Sequence, residues 1–193
     1  MNPKISDQKM IYSIHELENL GLSYYKIKKM IEAGSLKKMN RNHYENLVFR
    51  GDYNDLVYSC AFVPRGVICL ISAASYYELT TVRPQMIDIA IFRKDKVITL
   101  PEWPQIKLYY FNEERYKLGV KEINNGFDRF HIYDLEKTVV DIISFREKIG
   151  IEETKEILIN YLASKNKNVN KLMRYAKILG QEAILRTYLE VLI

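Results

Sequence analysis

Ser13-Ile14-His15-Glu16 is a helix start with few alternatives. In an S-x-x-E capping box the serine oxygen accepts from a free N–H of the first turn, and the glutamate reaches back to the serine's own N–H. A helix is predicted from there to about Leu20, burying Ile14 and Leu17, and Gly21 allows the left-handed backbone that ends it. Ser23 is the next N-cap, and the helix it opens reaches Ala33 and stops at Gly34. Two helices joined by a three-residue turn with glycine have the spacing of a helix-turn-helix.

The second helix has two unlike faces. At about 100° per residue, Tyr24, Ile27, Met30 and Ile31 fall within an arc of about 120°, the side expected to pack. Opposite its centre lie Tyr25 and Lys29, flanked by Glu32, Lys26 and Lys28. Such a face suits a major groove, where lysine and tyrosine reach base edges and phosphates. The following SLKKMNRNHYENLVF reads as two short strands around Asn40-Arg41-Asn42, a basic wing with Lys37, Lys38, Arg41 and His43 near a duplex backbone.

Charge is distributed to match. Residues 1–50 carry nine Lys or Arg and five Asp or Glu, whereas residues 51–193 carry twenty and nineteen. The formal excess of +5 therefore sits almost wholly at the N-terminal end. A solvated lysine-rich helix beside an unrelated hairpin would give the same excess. The order helix, turn, helix, basic hairpin favours a winged helix-turn-helix that binds double-stranded DNA.

The polar stretch Arg50-Gly51-Asp52-Tyr53-Asn54 marks a domain boundary, giving a DNA-binding domain over 1–50 and a second domain over 51–193. In the latter, helices are predicted at about 56–62 and 72–79. Strands follow at 86–92, 107–111, 120–123 and 127–132, the last two joined by a hairpin turn at Asn124-Asn125-Gly126. From Asp134 the period becomes helical, with Leu135, Val139, Ile142 and Ile143 buried, then helices at about 152–163, 168–179 and 181–192. The fold class is α+β: a winged helix, then a mixed α/β domain with a helical C-terminal end. On the helix near 168–179, Lys167, Lys171, Arg174 and Lys177 fall on one side and form a possible second basic surface, with Glu156 the lone acid nearby.

Nothing in the chain argues for an enzyme. The histidines, His15, His43 and His131, lie far apart in sequence, and none has metal-ligand spacing to another donor. Phosphate-loop, dinucleotide and nucleophile-elbow motifs are missing. A nuclease could be assembled from Asp141 with Glu153-Thr154-Lys155, but both pieces fall on predicted helices, and Asp141 reads as a hydrogen-bonding residue at a helix surface. A nucleotidyltransferase would need two acids at D-x-D spacing, and Asp88-Ile89-Ala90 lacks the second. No cofactor or metal is expected. Cys60 and Cys69 sit among apolar neighbours and read as buried, reduced thiols. No apolar run approaches the ~18–20 residues of a membrane span, and the N-terminus has no signal-peptide core, so a cytoplasmic protein is expected.

Three motifs in order resemble the AbiEi family, the antitoxins of bacterial type IV abortive-infection systems. They are the wing Gly34-Ser35-Leu36-Lys37-Lys38-Met39, the helix Ser72-Ala73-Ala74-Ser75-Tyr76 before Leu79-Thr80, and Thr138-Val139-Val140-Asp141. At the wing tip Arg41-Asn42-His43-Tyr44 departs from a common R-x-G-x-Y, and asparagine is expected to serve through its tolerance of positive φ. The resemblance implies a repressor that binds inverted repeats in its own promoter. It also implies an antitoxin that counteracts a cognate AbiEii-type, nucleotidyltransferase-like toxin without necessarily forming a stable complex. A metal-dependent nuclease with a winged-helix targeting domain and a ligand-sensing regulator are the alternatives.

Overall fold

Ser13 caps its helix as its spacing to Glu16 requires. In the computed structural model, which describes residues 5–97, 99–124 and 126–192, Ser13 Oγ accepts from Glu16 N, and Glu16 Oε2 accepts from Ser13 N at 2.8 Å. The N-terminal unit runs β1 (Ile11–Ser13), α1 (Ile14–Asn19), α2 (Tyr24–Glu32), β2 (Leu36–Lys38) and β3 (His43–Asn46). Gly21 and Gly34, at φ 77 and 71, end the two helices in the left-handed region. The strands form an antiparallel sheet in the order β1-β3-β2. Ile5, Tyr12, Leu17, Leu22, Ile27, Leu36 and Tyr44 make its small core.

The rest of the chain builds a mixed five-stranded sheet. Its elements are α3 (Asp55–Phe62), β4 (Val67–Ile68), α4 (Leu70–Tyr76), β5 (Ile87–Phe92), β6 (Ile106–Phe111), α5 (Glu113–Lys117), β7 (Val120–Asn124) and β8 (Arg129–Tyr133). Helices α6 (Leu135–Ser144), α7 (Arg146–Ile149), α8 (Ile151–Ala163), α9 (Val169–Ile178) and α10 (Glu182–Leu192) follow. Strand order is β6-β5-β4-β8-β7, with β5/β6 and β4/β8 parallel and the other pairs antiparallel. The hairpin expected between β7 and β8 forms; Asn125, in its turn, lies outside the described residues. Strand alternation divides the sheet's two faces. Val67, Ala90 and Tyr133 join the core under the C-terminal helices, while Ile68, Ile89, Ile91, Phe130 and Ile132 join a second core on the other side.

That second core belongs to both halves of the chain. Met10 and Ile11 are buried in it with Val57, Tyr58 and Ala61 of α3. Asp128 beside β8 accepts from Met10 N at 3.1 Å and Ile11 N at 3.4 Å. Removing residues 1–50 would expose apolar surface on α3 and β8, so the boundary near residue 51 crosses one shared core, although each side also has a core of its own.

One expectation fails in the helical half. Asp141 is not at a helix surface: its side chain is 0% exposed. Its Oδ1 accepts from Arg115 Nη1 at 3.2 Å, and its Oδ2 pairs with Lys137, which is also 0% exposed. Lys137 Nζ lies 3.9 Å from the Tyr133 ring centroid, and the Arg115 guanidinium lies 5.5 Å from the rings of Phe111 and Phe145. Burial pushes the Asp141 carboxyl up and the Lys137 amine down, and the attraction between them opposes both shifts. The reason is topological. Helix α6 is covered by α4, α8, α9 and α10, so Glu136 through Ile143 are all buried and no polar face is left for Asp141.

Candidate nucleic-acid interface

Helix α2 is anchored through one deep side chain, Ile27, with Met30 and Ile31 packed beside it. Burying an isoleucine contributes about 1.5–3 kcal/mol. Ser23 Oγ accepts from Lys26 N as the N-cap. The opposite face is open: Tyr25 is 64% exposed, and Lys26, Lys28 and Lys29 are exposed with it. Lys29 Nζ lies 4.8 Å from the Tyr25 ring centroid, a cation–π contact that holds the two on a common patch. Lys28 faces Glu32 at 4.0 Å, and Lys26 Nζ reaches Gly21 O at 3.4 Å. Tyr24, assigned by spacing to the packed side, is 73% exposed. It sits at the edge of the apolar arc in the first turn and is not among the residues of the small core behind the helix. The exposed surface therefore gains a second tyrosine that helical periodicity alone missed.

The hairpin is less free than its sequence suggests. Lys38 and Arg41 are exposed, while Lys37 lies 3.5 Å from Glu45 across the β2/β3 pair. The tip is docked on the second domain: Asn40 Nδ2 donates to Ala61 O of α3 at 2.8 Å, and Met39 packs into the shared core. Asn42 does not adopt positive φ. Instead Asn40 Oδ1 accepts from Asn42 N at 2.9 Å and His43 N at 3.0 Å, so a side chain closes the turn that glycine would otherwise make.

His43 does not stand on the outer face as a phosphate donor. It is half-buried, its Nδ1 is 3.3 Å from Asn40 Oδ1, and it lines a cavity of about 600 Å³ between the two units. His15 and His131, far apart in sequence, line the same cavity. Burial holds the His43 imidazole below its ordinary pKa, with Glu16 opposing. Below the usual imidazole range of about 6.5 the unfolded chain takes up a proton that the folded site resists, so stability should fall on acidification from neutrality. Thermal melts between about pH 7.5 and 5.5 should show this fall, and His43→Asn should flatten it.

The C-terminal stripe is broken up. Lys167 precedes α9, and its Nζ donates to Leu162 O at 2.6 Å. Lys171 points inward and sits 3.1 Å from Asp134 and 3.0 Å from Glu136, both contributed by the start of α6. The acids missing from the local sequence are thus supplied from more than thirty residues away. Only Arg174 and Lys177 of the stripe remain exposed on α9. Charge reversal at Lys171 would place a third acid beside two others and would test helix packing and not a phosphate contact.

The residues of the nuclease alternative do not assemble. Both oxygens of Asp141 are held by cations, and among the described residues no group of three or more His, Cys, Asp or Glu has metal-binding geometry. Cys60 and Cys69 are free thiols, and burial pushes Cys60 up to about 12. Among the described residues no helix is long and apolar enough to cross a membrane. No family model matches this chain, and no curated protein matches it.

Proposed function

We propose that the chain is a transcriptional repressor that binds double-stranded DNA through a winged helix-turn-helix at residues 5–50, laying α2 in a major groove. The observation that carries this reading is the outer face of α2. Tyr24, Tyr25, Lys26 and Lys29 project from a helix pinned by Ile27, and no carboxylate pairs with Lys26 or Lys29 among the described residues. Lysines and tyrosines on a rigid helix supply phosphate and base-edge contacts together. Lys38 and Arg41 on the hairpin add phosphate contacts beside it, and the docked tip fixes their distance from α2.

The resemblance to the AbiEi family extends this reading to autorepression at inverted repeats and to antitoxin action against a cognate nucleotidyltransferase-like toxin. A non-catalytic role for the second domain is supported by its buried Arg115–Asp141–Lys137 cluster, whose charges are spent on one another. The test is a gel-shift titration of the full chain against the DNA upstream of its own gene and against scrambled duplex, at several salt concentrations. Preferential binding of the upstream DNA is expected, with Lys38→Ala/Arg41→Ala weakening binding to either duplex. Each phosphate neutralised by the protein steepens the fall of log K with log salt by about 0.9, so this double variant should make the slope shallower by about 2. Equal affinity for both duplexes in the wild-type chain would defeat the repressor reading. Co-expression with the product of the adjacent gene tests the antitoxin half, through rescue of growth.

A further inference from the structure

Beneath the docked hairpin tip lies a second cleft, of about 430 Å³, that the DNA-binding reading does not use. This is within the ~300–1,000 Å³ range of small-molecule sites. Its floor is apolar: Phe62, Val63 and Pro64 follow from the end of α3, and Ile91 and Val97 come from β5 and the segment after it. Its rim is cationic. Arg41 from the hairpin, Arg65, and Lys96 face one acid, Asp95, which is already held by Arg65 at 2.7 Å. Arg41 and Lys96 make no ion pair among the described residues, leaving two cations over a hydrophobic floor. The rim is also preformed, since the Asn40–Ala61 hydrogen bond fixes the hairpin side, and a preformed site loses less entropy on binding.

We infer that this cleft binds a phosphorylated small molecule of mononucleotide size, with the phosphates between Arg41 and Lys96 and a flat ring on the floor formed by Phe62, Val63 and Val97. A duplex backbone would offer phosphates to the rim but nothing for the apolar floor, so the observations favour a free ligand. Because Arg41 belongs both to this rim and to the proposed DNA surface, an occupied cleft would compete for that side chain and weaken duplex binding.

Isothermal titration calorimetry of the full chain with ADP, and separately with inorganic phosphate, tests the site without any DNA present. Its outcome is therefore independent of the repressor reading. Saturable ADP binding is expected, with Lys96→Ala weakening it by about tenfold, the size of one charge-assisted hydrogen bond. Val97→Asp, which places a carboxylate on the floor, should weaken it at least as much, and circular dichroism of each variant verifies the fold. Inorganic phosphate should bind more weakly than ADP, since it leaves the floor uncovered. The inference is overturned by absence of ADP binding, by unchanged affinity in folded Lys96→Ala, or by phosphate binding as tightly as ADP. It is overturned equally if Lys96→Ala lowers duplex affinity while ADP does not bind, which would make the cleft part of the DNA contact.

Discussion

Asp141→Ala is expected to destabilise the protein by about 3–5 kcal/mol, enough to unfold a marginal domain at ordinary temperature. The substitution leaves Lys137 buried and charged with only the faces of Tyr133 and Phe111 for company, and leaves Arg115 held on α6 by Ser144 Oγ alone, at 3.1 Å. Removing one partner costs far more than removing the pair, because an isolated buried charge keeps its whole desolvation penalty. Lys137→Met/Asp141→Leu should therefore recover most of the loss, with Arg115 turning to solvent from a site that is already 17% exposed. Urea denaturation of the three proteins decides the point. A loss under about 1 kcal/mol for Asp141→Ala would mean that Lys137 is neutral in the folded state or finds water. Since Arg115 lies on α5, the same substitution should loosen the α5–α6 contact first, visible as faster amide exchange over residues 113–117.

Local chemistry was legible and long-range chemistry was not. The capping box at Ser13, the N-cap at Ser23 and the stops at Gly21 and Gly34 involve partners within five residues, so helices α1 and α2 follow from their sequences, as α6 follows from its helical period after Asp134. Strand β1 has three residues and β4 two, too short for an alternation to register, yet β4 is the middle strand of the larger sheet. Helices α5 and α7, of five and four residues, escape for the same reason. The fate of Lys137 and Asp141 was not legible, since at about 100° per residue they share a polar side of α6 with Thr138 and Ser144 that reads as solvent-facing until the other helices cover it. Arg115, the third member, comes from 26 residues upstream and left no mark on the local pattern.

The same division runs through the candidate site. Composition and periodicity located the open cationic face of α2, because a helix reports its own two sides. They could not report that the hairpin tip folds back onto α3, that His43 lines one cavity with His15 and His131, or that Lys171 meets Asp134 and Glu136. Each of these depends on which surfaces the topology brings together, and a charge read as free in one dimension is neutralised in three.

Replacing Tyr25 and Lys29 together by alanine should remove most of the discrimination between operator and unrelated duplex. Both lie on the outer face of α2, held against each other at 4.8 Å, and neither contributes to the small core, so the fold should survive. If each reads a base edge, each single variant should cost about 1–3 kcal/mol on specific DNA. Coupling between them should make the double variant cost other than the sum, since neighbours that share a contact are seldom additive. Binding to scrambled duplex should fall much less, because Lys26, Lys28, Lys38 and Arg41 continue to supply phosphate contacts. Tyr24→Ala, on the newly exposed edge of the helix, should lower affinity in the same sense if the groove reaches the first turn. Binding titrations at fixed salt on the two duplexes separate these effects. A Tyr25/Lys29 double variant that keeps wild-type preference for the upstream DNA would remove α2 from the interface and leave the basic hairpin as the principal contact.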